Sequence, residues 1–591
     1  MAQIQKIALL LAAAALLVLL SGCAPVAQEG GQMETTSGEV QETIKKAAQT
    51  TLDEQHLHDN PLLYAHDEDT SVVTMYLTVF PGNASENTDH TWKEINTYSV
   101  YDYEEMGVPR YQVAALLQVG DESGPLEGEL GYGRSVPNAT VQIRGQTSSR
   151  NAQKNYKIEL KKNVGTWRGQ ETIALNKHMT DSLRFRNKLA NDLLEEIDEL
   201  MALRTQFVHL YVRDLGGEHP DEFEDYGLYT QIEQLNKTAM RAHGLDRAGY
   251  LYKINFFEFY RYEDIIKPET DPTFDRAAMD VLLETKGETS NDKLIRMLDA
   301  LNDNAIPIDT VLDTYFDREN LCYWMAFEML LGNADTESRN IYLYSPLNGN
   351  RWYIIPWDHD AALMRDEWEK KDFTDGKSWQ MGVSNYWGNV LFQRCLKSGS
   401  FRAQLDAAVE DLHSRFTEDR LAAMIGRYTQ VIKPYAFSMP DVEYIGVTQE
   451  EYDALARKVP GLIERYHQDY LESLEKPMPF YVNEPQLDGG QMSLTWDNSY
   501  DFDAEDITYH VTLARDYLYT DVLFETETRL PLAQCAAPGP GQYFLKVTST
   551  NESGYTQDCF DYYVTGDGKV YGTFCFYIME DGHVEGFVDE E

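Results

Sequence analysis

The 591 residues carry 51 Lys and Arg against 97 Asp and Glu, a formal charge of −46 at neutral pH. Such an acid excess argues against a nucleic-acid partner and for a soluble, self-repelling surface whose protein ligands are basic. The length exceeds what one hydrophobic core usually supports, so about two to four domains are expected.

The chain opens with "MAQIQKIALLLAAAALLVLLSGC", a lysine-tipped start and an apolar stretch ending in small residues. This reads as a secretory signal over residues 1–22 and not as a structural helix. Leu20, Ser21, Gly22 and Cys23 resemble the lipobox of bacterial lipoproteins, which implies cleavage before Cys23 and diacylation of its thiol. Two acyl chains suffice to hold the protein at the extracytoplasmic face of a membrane. No later segment approaches the roughly 20 consecutive apolar residues of a spanning helix. The other cysteines, Cys322, Cys395, Cys535, Cys559 and Cys575, include no CxxC pair, and the histidines are not clustered, which argues against structural zinc. Export permits disulfides, and Cys535 with Cys559 is the expected pair because both flank strands of one small β region. Cys322 is expected to pack as a small hydrophobe.

From 23 to 60 the chain is polar and reads as a tether with one short helix near Val40 to Leu52. Residues 61–130 form a β-rich region in which alternation begins at "SVVTMYLTVF". Strand patterns continue through "ATVQIRG" and "KNYKIEL", followed by a helix in "SLRFRNKLANDLLEEI" and a strand "TQFVHLYVR". Helical patterns dominate Asp292 to Leu331 and roughly Asn389 to Glu475, separated by a hairpin, "IYLYSPLNGNRWYIIPW", whose "NGN" supplies the turn. The prolines of "EKPMPF" mark a boundary, and short alternating strands then give a β-sandwich over 478–565 and a tail over 566–591. The sandwich resembles a fibronectin type III module, with Trp496 in the second-strand position and Tyr543 in the late aromatic-rich strand.

Three polar constellations interrupt this pattern. In "NADTESRN", Asp335 and Asn340 have the D-x-x-x-x-N spacing of a kinase catalytic loop, in which the acid orients a hydroxyl and the amide reaches a metal ion. In "PWDHDAAL", Asp358 stands 23 positions beyond Asp335 at a strand end, and Asp360 shares its face in an extended segment, so the two carboxylates can share metal ions. In "RGQTSSRNAQKNYKI", small polar residues let backbone amides approach phosphates, and Arg144, Arg150, Lys154 and Lys157 supply positive charge.

In this order, and with "LRFRNKLANDL", "YGLYTQIEQLNK" and "GYLYKI" between them, the three constellations resemble the spore coat protein H (CotH) family of atypical protein kinases over about residues 130–420. The resemblance implies an α+β chain with a divergent protein-kinase-like fold over 131–476, between the N-terminal β-rich region and the C-terminal all-β sandwich. It also implies phosphorylation of secreted or cell-surface proteins with ATP and Mg²⁺. Carried over, Asp335 is the catalytic acid, and Asn340, Asp358 and Asp360 are metal ligands. Arg144, Ser148, Arg150 and either Lys154 or Lys157 face the nucleotide phosphates, with Glu233 on the adenine side and Arg186 and Asn187 bracing the phosphate loop. Where the family carries two adjacent lysines, this chain has Gln153 and Lys154. Two other readings are an inactive surface scaffold and a carbohydrate-associated binding protein; core packing accounts better than glycan binding for the 12% aromatic content.

Overall fold

Alternation of apolar and polar residues along the first strands builds a closed sheet. In the computed structural model, which describes residues 56–64, 70–364, 379–566 and 568–587, these strands are β1 (Val72–Phe80), β2 (Val113–Asp121), β3 (Gly124–Pro125), β4 (Ala139–Arg144), β5 (Asn155–Leu160), β6 (Thr172–Asn176), β7 (Thr205–Asp214) and β8 (Glu224–Glu233). Their order is β1-β7-β8-β6-β5-β4-β2-β3, and β1 also pairs with β2, so all but β3 join in a ring with no free edge. Only β1 and β7 run parallel. Every second residue enters one core: Met75, Leu77 and Val79; Val113, Ala115, Leu117 and Val119; Val141 and Ile143; Tyr156 and Ile158. The boundary expected at residue 130 therefore runs through a continuous sheet, because β1 and β2 supply strands that β4 and β7 need as neighbours.

A second, antiparallel sheet has the order β10-β9-β11-β12, from β9 (Tyr250–Ile254), β10 (Leu283–Thr285), β11 (Ile341–Ser345) and β12 (Tyr353–Pro356). The hairpin read around "NGN" is the β11–β12 pair. Around it pack helices α1 (Arg186–Leu194), α2 (Arg318–Leu330), α3 (Gly399–Arg415), α4 (Glu418–Ala436) and α5 (Leu462–Glu475), whose apolar faces meet in the largest core of the described residues. Helix α2 is apolar on nearly every side, which is the pattern of a helix surrounded by protein. It is capped by Asp317, whose side chain accepts from the amides of Glu319 and Asn320. It stops at Gly332, where φ is +59° and an added Cβ would lie 2.1 Å from the Tyr466 ring, so only glycine fits. No helix of the described residues is long and apolar enough to cross a membrane.

Beyond Pro477 the strands Gln486–Asp488, Gln491–Thr495 and Leu532–Ala536 form one sheet, and Thr508–Ala514, Val522–Thr528, Gly541–Thr550, Thr556–Asp558, Thr573–Ile578 and Val584–Gly586 form another. The two share a core that includes Trp496, Tyr509, Leu545 and Phe576. The expected tail corrects to strands of the sandwich: alternating apolar residues in "TFCFYI" bury Cys575, Phe576 and Ile578 against Gly541–Thr550. The expected Cys535–Cys559 pairing is also corrected. Both are buried free thiols in the shared core, Cys535 in the first sheet and Cys559 just after a strand of the second. Cys322 packs within α2, as expected of a small hydrophobe. The Val40–Leu52 helix, the signal segment and Cys23 lie outside the described residues.

The sandwich does not stand clear of the helices. Met478 and Phe560 belong to the helical core, Tyr481 packs 4.7 Å from Phe560, and Trp387 lies 5.3 Å from Tyr500. The Trp379 indole donates to the Phe560 carbonyl at 3.2 Å. Phe560→Ala should therefore cost about 3–5 kcal/mol, as buried Phe truncations do, and should shift one shared urea transition. A sandwich that melts separately, with the helices unaffected, would contradict this coupling.

Candidate functional site

Between the closed sheet and the helices lies a cleft lined among others by Arg144, Ser148, Asn176, His178, Asn187, Asp358 and Asp360. Its sheet-side wall follows from strand alternation. Ile143 and Tyr156 point into the barrel, so their neighbours Arg144 and Asn155, paired across β4 and β5, face outward. Gly145, at φ +89°, turns the chain there, and a Cβ on it would lie 2.1 Å from the Ser148 hydroxyl. Arg144 donates to the Asn176 side chain, and burial pushes its guanidinium below the ordinary value against the pull of Asp358.

On the opposite wall, the loop after β12 supplies Asp358 and Asp360, whereas Asp335 and Asn340, in the loop after α2, do not line the cleft; the two loops are tied to one buried carboxylate. Glu328 is 0% exposed; its Oε2 accepts from the Asn333 side chain at 2.9 Å, and its Oε1 meets His359 Nε2 at 3.1 Å. Asn333 precedes Asp335, and His359 separates Asp358 from Asp360. The loop after α2 is further held by Asn385 donating to the Ala334 carbonyl and Asn389 donating to the Glu337 carbonyl. Asn340 donates to the Asp335 carboxylate at 2.8 Å and to its carbonyl at 3.0 Å. Its amide oxygen receives no hydrogen bond from the described residues. Asn340 and Asp358 both adopt left-handed backbone, with φ of +57° and +63°, an uncommon conformation that clusters at functional sites.

The electrostatics are those of crowded acids. Asp358 and then burial push the Asp360 carboxyl far above its ordinary value, with Asp181 and Asp335 adding to the shift and Arg144 opposing it. Burial and Asp358 also raise Asp335, against Arg339. Asp358 and Asp360, the two carboxylates that line the cleft, are hard oxygen donors of the kind that suit Mg²⁺. Asn187 reaches Asp358 at 3.5 Å, and Arg186, paired with Asp181, donates to the Leu363 carbonyl at 3.1 Å. Both thus brace the Asp358 loop and not the Gly145–Arg150 loop.

The other residues read as nucleotide contacts are placed elsewhere. Arg150 stacks over Tyr101 at 3.8 Å, Lys154 is buried and donates to the Ser149 carbonyl at 2.6 Å, and Lys157 pairs with Glu159 at 2.9 Å. None of the three lines the cleft. Glu233 is also absent from it: Ile232 lines the cleft, so the next residue in β8 points to the other face. There Glu233 pairs with Arg204 and, at 2.9 Å, with His243, whose other nitrogen lies 2.6 Å from Asp59.

The sequence pattern did not single out His178 or Lys253. His178 Nε2 is buried with no partner among the described residues, and burial pushes the ring down to about 4, so it lines the cleft as a neutral imidazole. Burial lowers the Lys253 ammonium against the pull of Glu284 and Asp358. The only signal for it was its place in "GYLYKI".

A family model described as CotH kinase protein matches residues 141–466, more than half of the chain. The chain belongs to the CotH kinase family. Its relatives include the inner spore coat protein H of Bacillus subtilis (strain 168), which is 23% identical over 284 residues, 46% of this chain and 71% of that protein. The matched CotH region begins in β4 and ends in α5, so it contains every wall of the cleft but lacks β1 and β2 of the barrel.

Two measurements follow from these contacts. Glu328→Ala leaves Asn333 and His359 buried without their shared partner and should cost about 3–5 kcal/mol, the usual penalty for breaking a buried pair; a urea midpoint equal to that of the native chain would contradict the assigned role. The His243 network predicts a pH dependence. Burial alone would lower His243, but its bonds to Asp59 and Glu233 prevail and raise it from 6.5 to about 9, so its stabilisation is complete below about pH 6.5 and is lost as pH rises through 9. Burial alone would raise Glu233, but Arg204 and His243 lower it from 4.5 to about 2, so its contribution is complete above pH 4.5 and is lost as pH falls through 2. The thermal midpoint should fall between about pH 6.5 and 9.5, and fall less in His243→Gln. Equal slopes for the two proteins would count against the network.

Proposed function

We propose that this CotH-family chain is a Mg²⁺- and ATP-dependent kinase of secreted or surface proteins, with a divergent kinase-like arrangement of barrel and helices. The observation that carries the reading is the opposition of Arg144 to Asp358 and Asp360 across one cleft, with the Asp335–Asn340 clamp beside them. Asp358, Asp360 and the amide oxygen of Asn340 would hold the metal. Arg144, Ser148 and Asn155 would bind the phosphates, Arg144 as a cation already half desolvated. When bound, Mg²⁺ would neutralise charge on the phosphate oxygens. Asp335 would orient the acceptor hydroxyl and take up its proton at a carboxylate oxygen, a role that suits a carboxyl already raised above its ordinary value. His178, neutral and unpaired at one nitrogen, would offer a hydrogen bond to the nucleotide without adding charge.

The acidic surface favours basic acceptor proteins, and diacylation at Cys23 would hold the chain on the extracytoplasmic face of the membrane. A fibronectin type III-like reading of the sandwich is supported by buried Trp496 and by the Tyr543 hydroxyl, which donates to the Gly539 carbonyl four residues upstream, as a tyrosine corner does. One observation favours the scaffold reading: among the described residues lining the cleft, Arg144 is the only lysine or arginine.

Labelled ATP, Mg²⁺ and basic test proteins decide between the two. Asp335→Ala should keep nucleotide affinity and lose transfer by a factor of about 10²–10⁴, and Asp358→Ala should lose Mg²⁺-dependent nucleotide binding. Native protein that binds ATP without transferring phosphate would favour the scaffold, and native protein that binds no ATP would refute the kinase reading.

A further inference from the structure

On the far side of the helical core, two helices carry the same four-residue pattern. Helix α3 has Glu410 and His413, and α5 has Glu464 and His467, each a Glu-x-x-His turn that sets acid and imidazole on one helix face. The two turns meet antiparallel and reciprocally: His413 Nε2 lies 2.9 Å from Glu464, and His467 Nε2 lies 2.8 Å from Glu410. The imidazoles stack with ring centres 3.9 Å apart and planes 14° from parallel. Glu410, His413 and His467 each offer a ligand atom within 4.8 Å of the other two. His467 is 7% exposed, and its Nδ1 is buried with no hydrogen-bond partner among the described residues.

We propose that Glu410, His413 and His467 form a binding site for Zn²⁺ that joins α3 to α5, with Glu464, the partner of His413, as the neighbouring carboxylate that would complete it. Two imidazole nitrogens with carboxylate oxygens suit a borderline-soft ion such as Zn²⁺, whereas Mg²⁺ and Ca²⁺ take oxygen donors. Ligand atoms on a tetrahedral Zn²⁺ at about 2.0–2.2 Å stand roughly 3.4 Å apart, so the His–Glu pairs, now 2.8–2.9 Å apart, would open slightly while the ligand atoms of Glu410, His413 and His467, all within 4.8 Å of one another, would close on the ion. Paired Glu-x-x-His turns on facing helices are a recurrent way to build a metal site into a helical bundle. The site has a mechanical consequence. Tyr466, beside His467, is the ring that closes on Gly332 at the start of the Asp335 loop, so an ion fixing α5 to α3 would stiffen the support of that loop. The histidines stand 54 positions apart, which is why their spacing gave no sign of a cluster.

The test uses the whole chain, freed of metal with chelator and titrated with Zn²⁺ by calorimetry and with Co²⁺ by visible absorption. The native protein should bind one Zn²⁺ at this site, rise in thermal midpoint, and show the intense visible bands of four-coordinate Co²⁺. His413→Gln, at a half-exposed position where folding should survive, and the double variant His413→Gln/His467→Gln should each weaken Zn²⁺ binding by at least about 100-fold, more than loss of an outer-shell partner, and remove the Co²⁺ bands. Unchanged Zn²⁺ affinity in folded His413→Gln overturns the site. So does binding that persists in the double variant but disappears in Asp358→Ala, which would place the ion in the cleft.

Discussion

Glu328 is the contact on which the candidate site depends. A carboxylate with no exposure, inside a helix surrounded by apolar residues, is tolerable only if its oxygens are satisfied, and the partners it takes are Asn333 and His359. Those two residues belong to different loops, one bearing Asp335 and Asn340, the other Asp358 and Asp360. A single desolvated group thus fixes the separation of the two acidic loops, and it does so from below, without entering the cleft. The arrangement explains how two left-handed, unfavourable backbone positions at Asn340 and Asp358 persist: the loops that contain them are pinned on both sides.

The opposite wall is positioned by a different constraint, closure of the barrel. Because the ring leaves no free edge, the register of β4 against β5 is set by both neighbours, and the inward turn of Ile143 and Tyr156 obliges Arg144 and Asn155 to face the helices. The same alternation sends Glu233 away from the cleft and into a buried network with Arg204, His243 and Asp59. Repulsion among Asp335, Asp358 and Asp360 is left in place on one side, and a desolvated arginine on the other. That separation of charge across a narrow space suits a phosphate with a divalent ion.

The sandwich and the helical region are joined by aromatic packing rather than by a spacer. Trp379, Trp387, Tyr481, Tyr500 and Phe560 bridge the prolines that looked like a boundary. Two prolines interrupt helix and strand, but they say nothing about whether the elements on either side bury surface against each other.

The sequence by itself determined the mixed α and β character, the β11–β12 hairpin, the helical stretches, the CotH family and the acids Asp335, Asp358 and Asp360, because alternation, helical spacing and loop motifs are local properties of the chain. It also placed Arg144 and Ser148 beside a glycine turn that the structure brings to the cleft. Tertiary structure decided what local pattern leaves open. Lys154, Lys157 and Arg150 looked like phosphate ligands because of their charge, but the neighbours that engage them, the Ser149 carbonyl, the Glu159 carboxylate and the Tyr101 ring, are chosen by folding. His178 became a cleft residue, Cys535 and Cys559 fell on different sheets, and the paired Glu-x-x-His turns of α3 and α5 met across 54 positions of chain. A side chain's chemistry is written in the sequence, but its burial and its partner depend on which distant strand or helix comes to rest against it.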